Sequence, residues 1–340
     1  MVRVGVIGAS GFTGVELLRL AAQHPDFDVV VATGDSNAGV RAASIHPSLA
    51  VQYPDLVFSA FDESVVDGLD LVFLGLPHEA SMRLAPKLVG AVGCVVDLSA
   101  AYRLKDASLY PQWYGFTHDQ PELLDEAVYG LPELYREELR GARLVATPGC
   151  HVTAASLALR PLVASGVIRA TGVIVNSATG VTGAGRSLKQ SSMFCSVAEN
   201  YEAYGLLDHR HTPEIEQVVD AEVLFTPHLA PMNRGILATC YARPGEGADV
   251  STESLLAVLR AAYADELFVT VGHESPSTKA TLGSNAVHIT ARYDERTRYV
   301  IALCAIDNLT KGASGGAVQA ANVALGLPEA AGLTTVGLCP

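Results

Sequence analysis

The sequence predicts an α/β protein of two domains. The first is an open, mostly parallel sheet with helices on both faces; the second is an α+β domain with a mostly antiparallel sheet. Three observations predict this. The chain starts on a β-rich stretch that runs into a glycine turn and a helix-periodic segment. Apolar strand-like runs then alternate with helical ones through the first 150 residues. From about residue 170 the strands alternate apolar with polar residues, and helical stretches become fewer.

In order, residues 2–7 alternate and are β-rich, and G-A-S-G-F-T-G (8–14) follows. Residues 15–25 carry apolar side chains at helical spacing, and 27–33 form a second apolar strand. That is a βαβ unit with a short crossover. Residues 69–77 and 94–99 are further strands, with a helix at 79–89 between them. In the second half, 171–179, 221–230, 235–244, 267–273, 285–294 and 299–307 read as strands, and 212–220 and 251–265 as helices. The small-residue tail 308–327 reads as one long helix returning to the first domain. The expected division is 1–149 plus 308–340, and 150–307.

Composition narrows the function. With 49% hydrophobic and 17% charged residues the chain is globular rather than disordered. A net charge of −13 speaks against nucleic acid or an anionic membrane as partner, since both need clustered cations. No run of 18 apolar residues predicts a spanning helix, and the first residues read as a strand rather than a signal peptide. The six cysteines form no Cys-x-x-Cys pair, so neither a zinc cage nor a disulfide framework is expected. A reducing cytoplasm is the expected compartment, and no metal is expected.

Gly8, Gly11 and Gly14 sit straight after a strand and open a helix. Such glycines permit a tight turn and let backbone N–H groups approach a pyrophosphate, with the helix N-terminus adding its favourable field. This makes the first domain a Rossmann-type dinucleotide-binding domain, with Ala9, Ser10, Phe12 and Thr13 completing the turn. Ser10 and Thr13 add hydroxyls. At the end of the second strand Thr33 stands where an acid would grip the ribose of NAD. Ser36 and Asn37 are neutral donors nearby; Asp35 keeps NAD open, but the balance favours NADP.

The stretch T-P-G-C-H-V-T-A-A-S (147–156) places Cys150 after a turn and at a helix start. A helix N-terminus stabilises the thiolate, the nucleophilic form. Cys94, Cys240 and Cys304 lie inside apolar strands and read as buried filler, and Cys195 and Cys339 lack a comparable setting. A cysteine nucleophile needs an acid/base partner. His209-Arg210-His211 precedes Thr212, expected as N-cap, with Pro213 at the first helical position and Glu214 in the first turn. An extended segment would point His209 and His211 one way and Arg210 the other; the two histidines are not distinguished. Two further clusters suit phosphate or carboxylate: residues 177–186, a glycine and hydroxyl loop holding Gly183 and closed by Arg186, and 97–104, with Ser99 and Arg103.

The chain resembles the N-acetyl-gamma-glutamyl-phosphate reductase family, NADPH-dependent enzymes of arginine biosynthesis related to aspartate-semialdehyde dehydrogenases. The resemblance rests on 8–14, 75–78, 97–104, 129–134, 148–150, 180–186, 209–215, 225–236 and 307–315, in order along nearly the whole chain. It implies Cys150 as nucleophile, His209 or His211 as acid/base, Gly8 to Gly14 at the cofactor diphosphate, and Pro77 and His78 near the nicotinamide. It also implies Asn308 on the cofactor side, Ser99, Arg103, Arg186, Gly183 and Glu214 toward a small acyl-phosphate substrate, and a homodimer or homotetramer. Two positions depart from the family pattern: His151-Val152 replaces Tyr-Pro, and Gly316 replaces a glutamine. Rival readings are a reductase of carrier-bound aminoadipyl phosphate, which would need a basic docking surface, and an inactive NADP-sensing protein, against which Cys150, the histidine pair and Arg186 speak.

Overall fold

The structure, a computed structural model, describes residues 1–339. It divides into two compact units: Met1–Pro148 with Ala313–Leu333, and Gly149–Gly312 with the residues from Thr334.

The first unit holds a six-stranded sheet of β1 (Val2–Ile7), β2 (Phe27–Ala32), β3 (Leu71–Leu74), β4 (Cys94–Asp97), β5 (Val128–Tyr129) and β6 (Leu144–Ala146). Its order is β2-β1-β3-β4-β6-β5, and every pairing is parallel. The helices α1 (Phe12–Ala21), α2 (His78–Leu88) and, from the far end of the chain, a helix at Gly315–Ala324 cover it. Alternate strand residues feed two cores. Val4, Val6, Leu71, Phe73 and Val96 join Leu17 and Leu18 of α1 and Ala317, Ala320 and Ala321 of the last helix. Ile7, Val72, Leu74 and Val95 join Met82, Ala85 and Leu88 of α2. Both faces are buried, which is why these strands read as unbroken apolar runs.

The tail is less simple than one long helix. Thr310–Ser314 form a π turn, and the α-helix covers only Gly315–Ala324. Gly316, at the departure from the family pattern, is buried in that helix.

The second unit holds seven strands: β7 (Val173–Thr179), β8 (Glu202–Ala203), β9 (Val223–Leu229), β10 (Ile236–Ala242), β11 (Val269–Val271), β12 (Val287–Asp294) and β13 (Tyr299–Ile306). The order is β11-β12-β13-β10-β7-β9-β8. Pairings β12/β13, β13/β10, β10/β7 and β8/β9 are antiparallel, while β11/β12 and β7/β9 are parallel. The sheet is therefore mixed, with antiparallel pairing dominant. Strands β7 and β10 bury every second residue. The buried face meets α3 (Cys150–Ala164), which also packs against α4 (Thr212–Val219) and α5 (Thr252–Ala262). Residues 151–159 of α3 are all buried, so this helix has no solvent face over its first two turns.

Two helices contain an internal proline, α2 at Pro86 and α3 at Pro161. A proline has no N–H, so the carbonyl four residues earlier loses its helical partner. Each orphaned carbonyl is filled by a tyrosine. Tyr102 donates its hydroxyl to the Met82 carbonyl at 2.9 Å, and Tyr263 donates to the Leu157 carbonyl at 2.7 Å. Both tyrosines are buried. We expect Tyr263→Phe to cost about 1–3 kcal/mol by leaving a buried acceptor unmet. In a Pro161→Ala background, where the residue 161 amide can reach the same carbonyl, the cost should shrink; urea unfolding of the four-member cycle measures it.

Candidate active site

Cys150 is the first residue of α3. Gly149 precedes it as N-cap, with extended backbone at φ −64°, ψ 143°. The thiol thus sits where the aligned peptide dipoles favour negative charge. Three neighbours define its seat. The Gly149 N–H donates to Oε1 of Glu214 at 2.8 Å, and Glu214 has no exposed surface. A methyl at Gly149 would stand 2.5 Å from Nε2 of His211, so that imidazole lies directly against the backbone. A methyl at Gly312 would stand 2.9 Å from Cβ of Cys150, so glycine there makes room for the cysteine.

The other cysteines separate by burial. Cys94, Cys240 and Cys304 are buried, and Cys195 and Cys339 are exposed; Cys150 alone is half-buried. Burial pushes the Cys94 and Cys240 thiols up to about 12, which keeps them unreactive.

Cys150 opens on a cavity of about 360 Å³ whose lining includes His151, Tyr204, His209, His211, Lys189 and Arg210. His209 and His211 do lie together, with ring centroids 4.7 Å apart and nearly perpendicular planes. The cause is a turn rather than an extended segment: Nδ1 of His209 accepts the His211 N–H at 3.1 Å. The ring of His209 therefore carries its proton on Nε2. Burial and the neighbouring Arg210 charge pull His209 down to about 4. Thr212 does not cap α4; it is the first helical residue, His211 holds the N-cap position, and no side chain caps the helix. Pro213 accordingly stands at the second helical position rather than the first, and Glu214 lies in the first turn as expected.

The ring of His151, next to Cys150 in the chain, is in the cavity wall. It is 2% exposed, with Nδ1 2.7 Å from Oγ of Ser177 and Nε2 3.0 Å from the Tyr204 hydroxyl. It meets His209, His211 and Phe225 edge-on. Burial, with His209 and His228 nearby, lowers it to about 3. Its one sequence signal is the departure from the family pattern beside the cysteine.

The remaining candidates are placed as follows. Gly183 and Thr179 line the cavity, but Arg186 is exposed outside that lining, where Lys189 stands instead. Asn308 is buried, accepting the Gly235 N–H at 2.7 Å and donating to Thr182 Oγ1 at 3.0 Å, so it ties down the 180–183 loop of the second unit. In the first unit, Gly8 has φ +88°, and a methyl there would lie 2.4 Å from the Gly75 carbonyl oxygen. A methyl at Gly14 would lie 2.4 Å from Cα of Ala9, while at Gly11, the N-cap of α1, nothing lies within 3.8 Å. Thr33 is buried, and its Oγ1 accepts the Gly8 N–H at 3.1 Å. It shapes the turn rather than offering a hydroxyl outward. Ser10 accepts from Asn37 and donates to the Gly34 carbonyl, and Ser36 is exposed in the turn between them. Phe12 and Thr13 start α1 half-buried. Pro77 caps α2, and Nδ1 of His78 accepts the Ala100 N–H at 3.0 Å. Ser99 donates to the buried Asp97 carboxylate at 2.7 Å, and Arg103 donates to the Thr147 carbonyl at 2.7 Å and the Leu98 carbonyl at 3.0 Å. Ser99 thus closes on its own loop, while Arg103 ties that loop to residue 147. Among the described residues no His, Cys, Asp or Glu group could hold a metal.

Comparison with known proteins gives the family and the fold. Residues 3–142 match the family model "Semialdehyde dehydrogenase, NAD binding domain", and 150–308 match "Semialdehyde dehydrogenase, dimerisation domain". An N-acetyl-gamma-glutamyl-phosphate reductase of Symbiobacterium thermophilum is 48% identical over 99% of this chain and 98% of its own length. The chain belongs to the N-acetyl-gamma-glutamyl-phosphate reductase family. Another family member, from Pseudomonas aeruginosa, is 45% identical over the full length of both chains. Among solved structures, an aspartate semialdehyde dehydrogenase with NADP from Candida albicans superposes with a TM-score of 0.71 at 17% identity, covering 95% of this chain and 98% of that one. An aspartate semialdehyde dehydrogenase II from Vibrio cholerae gives 0.69 at 16%, over 95% and 98%. These two share the family's fold. No helix among the described residues is long and apolar enough to cross a membrane.

Two outcomes are expected. Gly149→Ala should displace the His211 ring and lower kcat by about 100-fold, since small misplacements near the reacting group cost that much; steady-state kinetics at unchanged Tm would show it. His151 and His209 titrate in the fold at about 3 and about 4, below the ordinary 6.5. Between those values the unfolded chain binds more protons, so stability is complete above pH 6.5 and falls as pH drops toward 4. Urea midpoints at pH 7 and pH 5 read this, and His151→Gln should flatten the difference.

Proposed function

We propose that the chain reduces N-acetyl-gamma-glutamyl phosphate to N-acetylglutamate semialdehyde plus phosphate, with NADPH as reductant, in arginine biosynthesis. The observation that carries the mechanism is Cys150 at the buried start of α3, opening on the cavity shared with His209 and His211. In this reading the Cys150 sulfur attacks the acyl carbon, the carbon–oxygen bond to phosphate breaks, and a thioester remains. When bound, the nicotinamide nucleotide supplies the hydride that reduces this carbon. The resulting oxyanion re-forms its carbonyl as the carbon–sulfur bond breaks, the departing sulfur takes a proton from an imidazolium, and the aldehyde leaves; return of that proton to the imidazole restores the thiolate. Backbone N–H groups at the start of α3 favour the oxyanion.

His211 suits the proton transfer better than His209. Its Nε2 lies against residue 149, next to the nucleophile. His209 is held near 4 and keeps Nδ1 on the His211 amide, which suits a positioning role. Lys189 and Arg210, the cations in the lining, suit the phosphate and carboxylate of the substrate. Gly8 to Gly14 fit a cofactor diphosphate, because the N-terminus of α1 at Gly11 is uncovered by any side-chain cap. The lack of an acid at position 33 favours NADP over NAD.

A homodimer or homotetramer working in the cytoplasm completes the reading. The half-exposed face of the second sheet supports it, where Ile174, Tyr241 and Ile301 are cross-strand neighbours and Leu237 and Leu303 adjoin. Neither nucleic acid nor a membrane is a partner in this reading. The carrier-bound substrate and the inactive sensor are not supported by any feature of the site.

Phosphate-dependent reduction of NADP by the semialdehyde tests the activity. Cys150→Ser should abolish turnover while leaving NADPH binding, followed by fluorescence titration, intact; more than a tenth of wild-type activity would sink the thioester route. His211→Asn should lower kcat by about 100-fold or more and remove one limb of the pH–rate profile, with a smaller effect for His209→Asn.

A further inference from the structure

A chain of three side chains that the proposed mechanism does not use runs inward from the cavity wall: Tyr204, His151 and Ser177. Ser177 lies on β7 and has no exposed surface. Its hydroxyl has a single hydrogen-bond partner, Nδ1 of His151 at 2.7 Å. A buried hydroxyl that only accepted there would leave its own proton unmet, at a cost of about 1–3 kcal/mol. Ser177 therefore donates, and Nδ1 accepts. A neutral imidazole has one N–H, so the proton of His151 is on Nε2. The ring is neutral throughout the working range, since it titrates only at about 3. Nε2–H in turn donates to the Tyr204 oxygen at 3.0 Å.

The consequence is directional. The Tyr204 oxygen is filled as an acceptor by His151, so its own O–H cannot be directed at that ring. Tyr204 lines the same cavity as Cys150. Its side chain is close enough for the charge of Cys150, after burial itself, to push its ionisation upward. The phenol thus keeps its proton.

We propose that Tyr204 is a catalytic hydrogen-bond donor, its O–H aimed by the Ser177–His151 pair at the oxygen on the acyl carbon bonded to Cys150. This deepens the reductase reading and rests on it. The bond strengthens as that oxygen gains charge in the tetrahedral states before and after hydride arrival; the proton stays on Tyr204 throughout. His151 and Ser177 are positioning residues. They fix which way the phenol points and do not touch the substrate. On this view His151, where the family pattern has tyrosine, is a hydrogen-bond relay rather than a second base.

Kinetics with Tyr204→Phe, Ser177→Ala and the double variant test this. Tyr204→Phe should lower kcat by about 100-fold, the usual effect of losing one such donor, with KM nearly unchanged. The alkylation rate of Cys150 by iodoacetamide should match wild type, showing the nucleophile and fold intact. Ser177→Ala frees the ring to change tautomer and should lower kcat about 10-fold; the double variant should be no worse than Tyr204→Phe alone. Nitrogen-15 NMR should show His151 of the wild type protonated on Nε2 and a changed tautomer in Ser177→Ala. A Tyr204→Phe enzyme with wild-type kcat, multiplying losses in the double variant, or an Nδ1-protonated His151 would each overturn the proposal. If the wild-type enzyme itself fails the phosphate-dependent assay, the reductase reading falls, and this proposal with it; an active wild type beside an unaffected Tyr204→Phe isolates the failure here.

Discussion

The hydrogen bond from the Gly149 amide to the Glu214 carboxylate joins the two segments on which the candidate chemistry depends. One end is the first turn of the helix that carries Cys150; the other is the first turn of the helix that follows the two histidines. Glu214 has no exposed surface, so water does not stand in for the Gly149 amide there. Everything else near the sulfur conforms to it. Glycine at 149 lets His211 lie on the backbone, and glycine at 312 leaves room for the cysteine side chain. A buried hydrogen bond, two missing side chains and one helix N-terminus locate Cys150.

The same economy governs which cysteine can react. Four of the six are removed from chemistry or from the cavity by secondary structure alone: three are packed in strands, and Cys339 lies in the exposed tail. Cys195, on a short exposed helix, has no helix of useful length behind it. Only Cys150 combines partial access with the end of a long buried helix.

Much of this was legible in the chain. The strands of the first unit are apolar on both faces, so they stand out as unbroken runs, and the glycine turn stands out because Gly8 and Gly14 face atoms that a side chain would strike. The pairing partners of β7 with β9 and β11 with β12 were not legible, because alternation marks a half-buried strand but not the direction of its neighbour. The outward or inward aim of short polar side chains was also hidden. Thr33, Ser99 and Arg103 look like ligand donors in sequence, yet Thr33 accepts the Gly8 amide, Ser99 donates to Asp97 and Arg103 donates to the Thr147 carbonyl. Arg186 and Lys189 are three residues apart in one polar loop, and only the folded path decides which of them reaches the cavity wall. Thr212 carries the right chemistry for a cap, but the turn that brings His211 over His209 moves the helix start back by one residue.

Proline 161 and its tyrosine have an implication for the sulfur some three turns away. Helix α3 is fastened at its N-cap amide by Glu214 and at its midpoint, the Leu157 carbonyl, by Tyr263. Axial sliding or rotation of the rod would break one fastening or the other. The position of Cys150 is therefore an attribute of the entire second unit, and a lesion at residue 263 should be felt at residue 150.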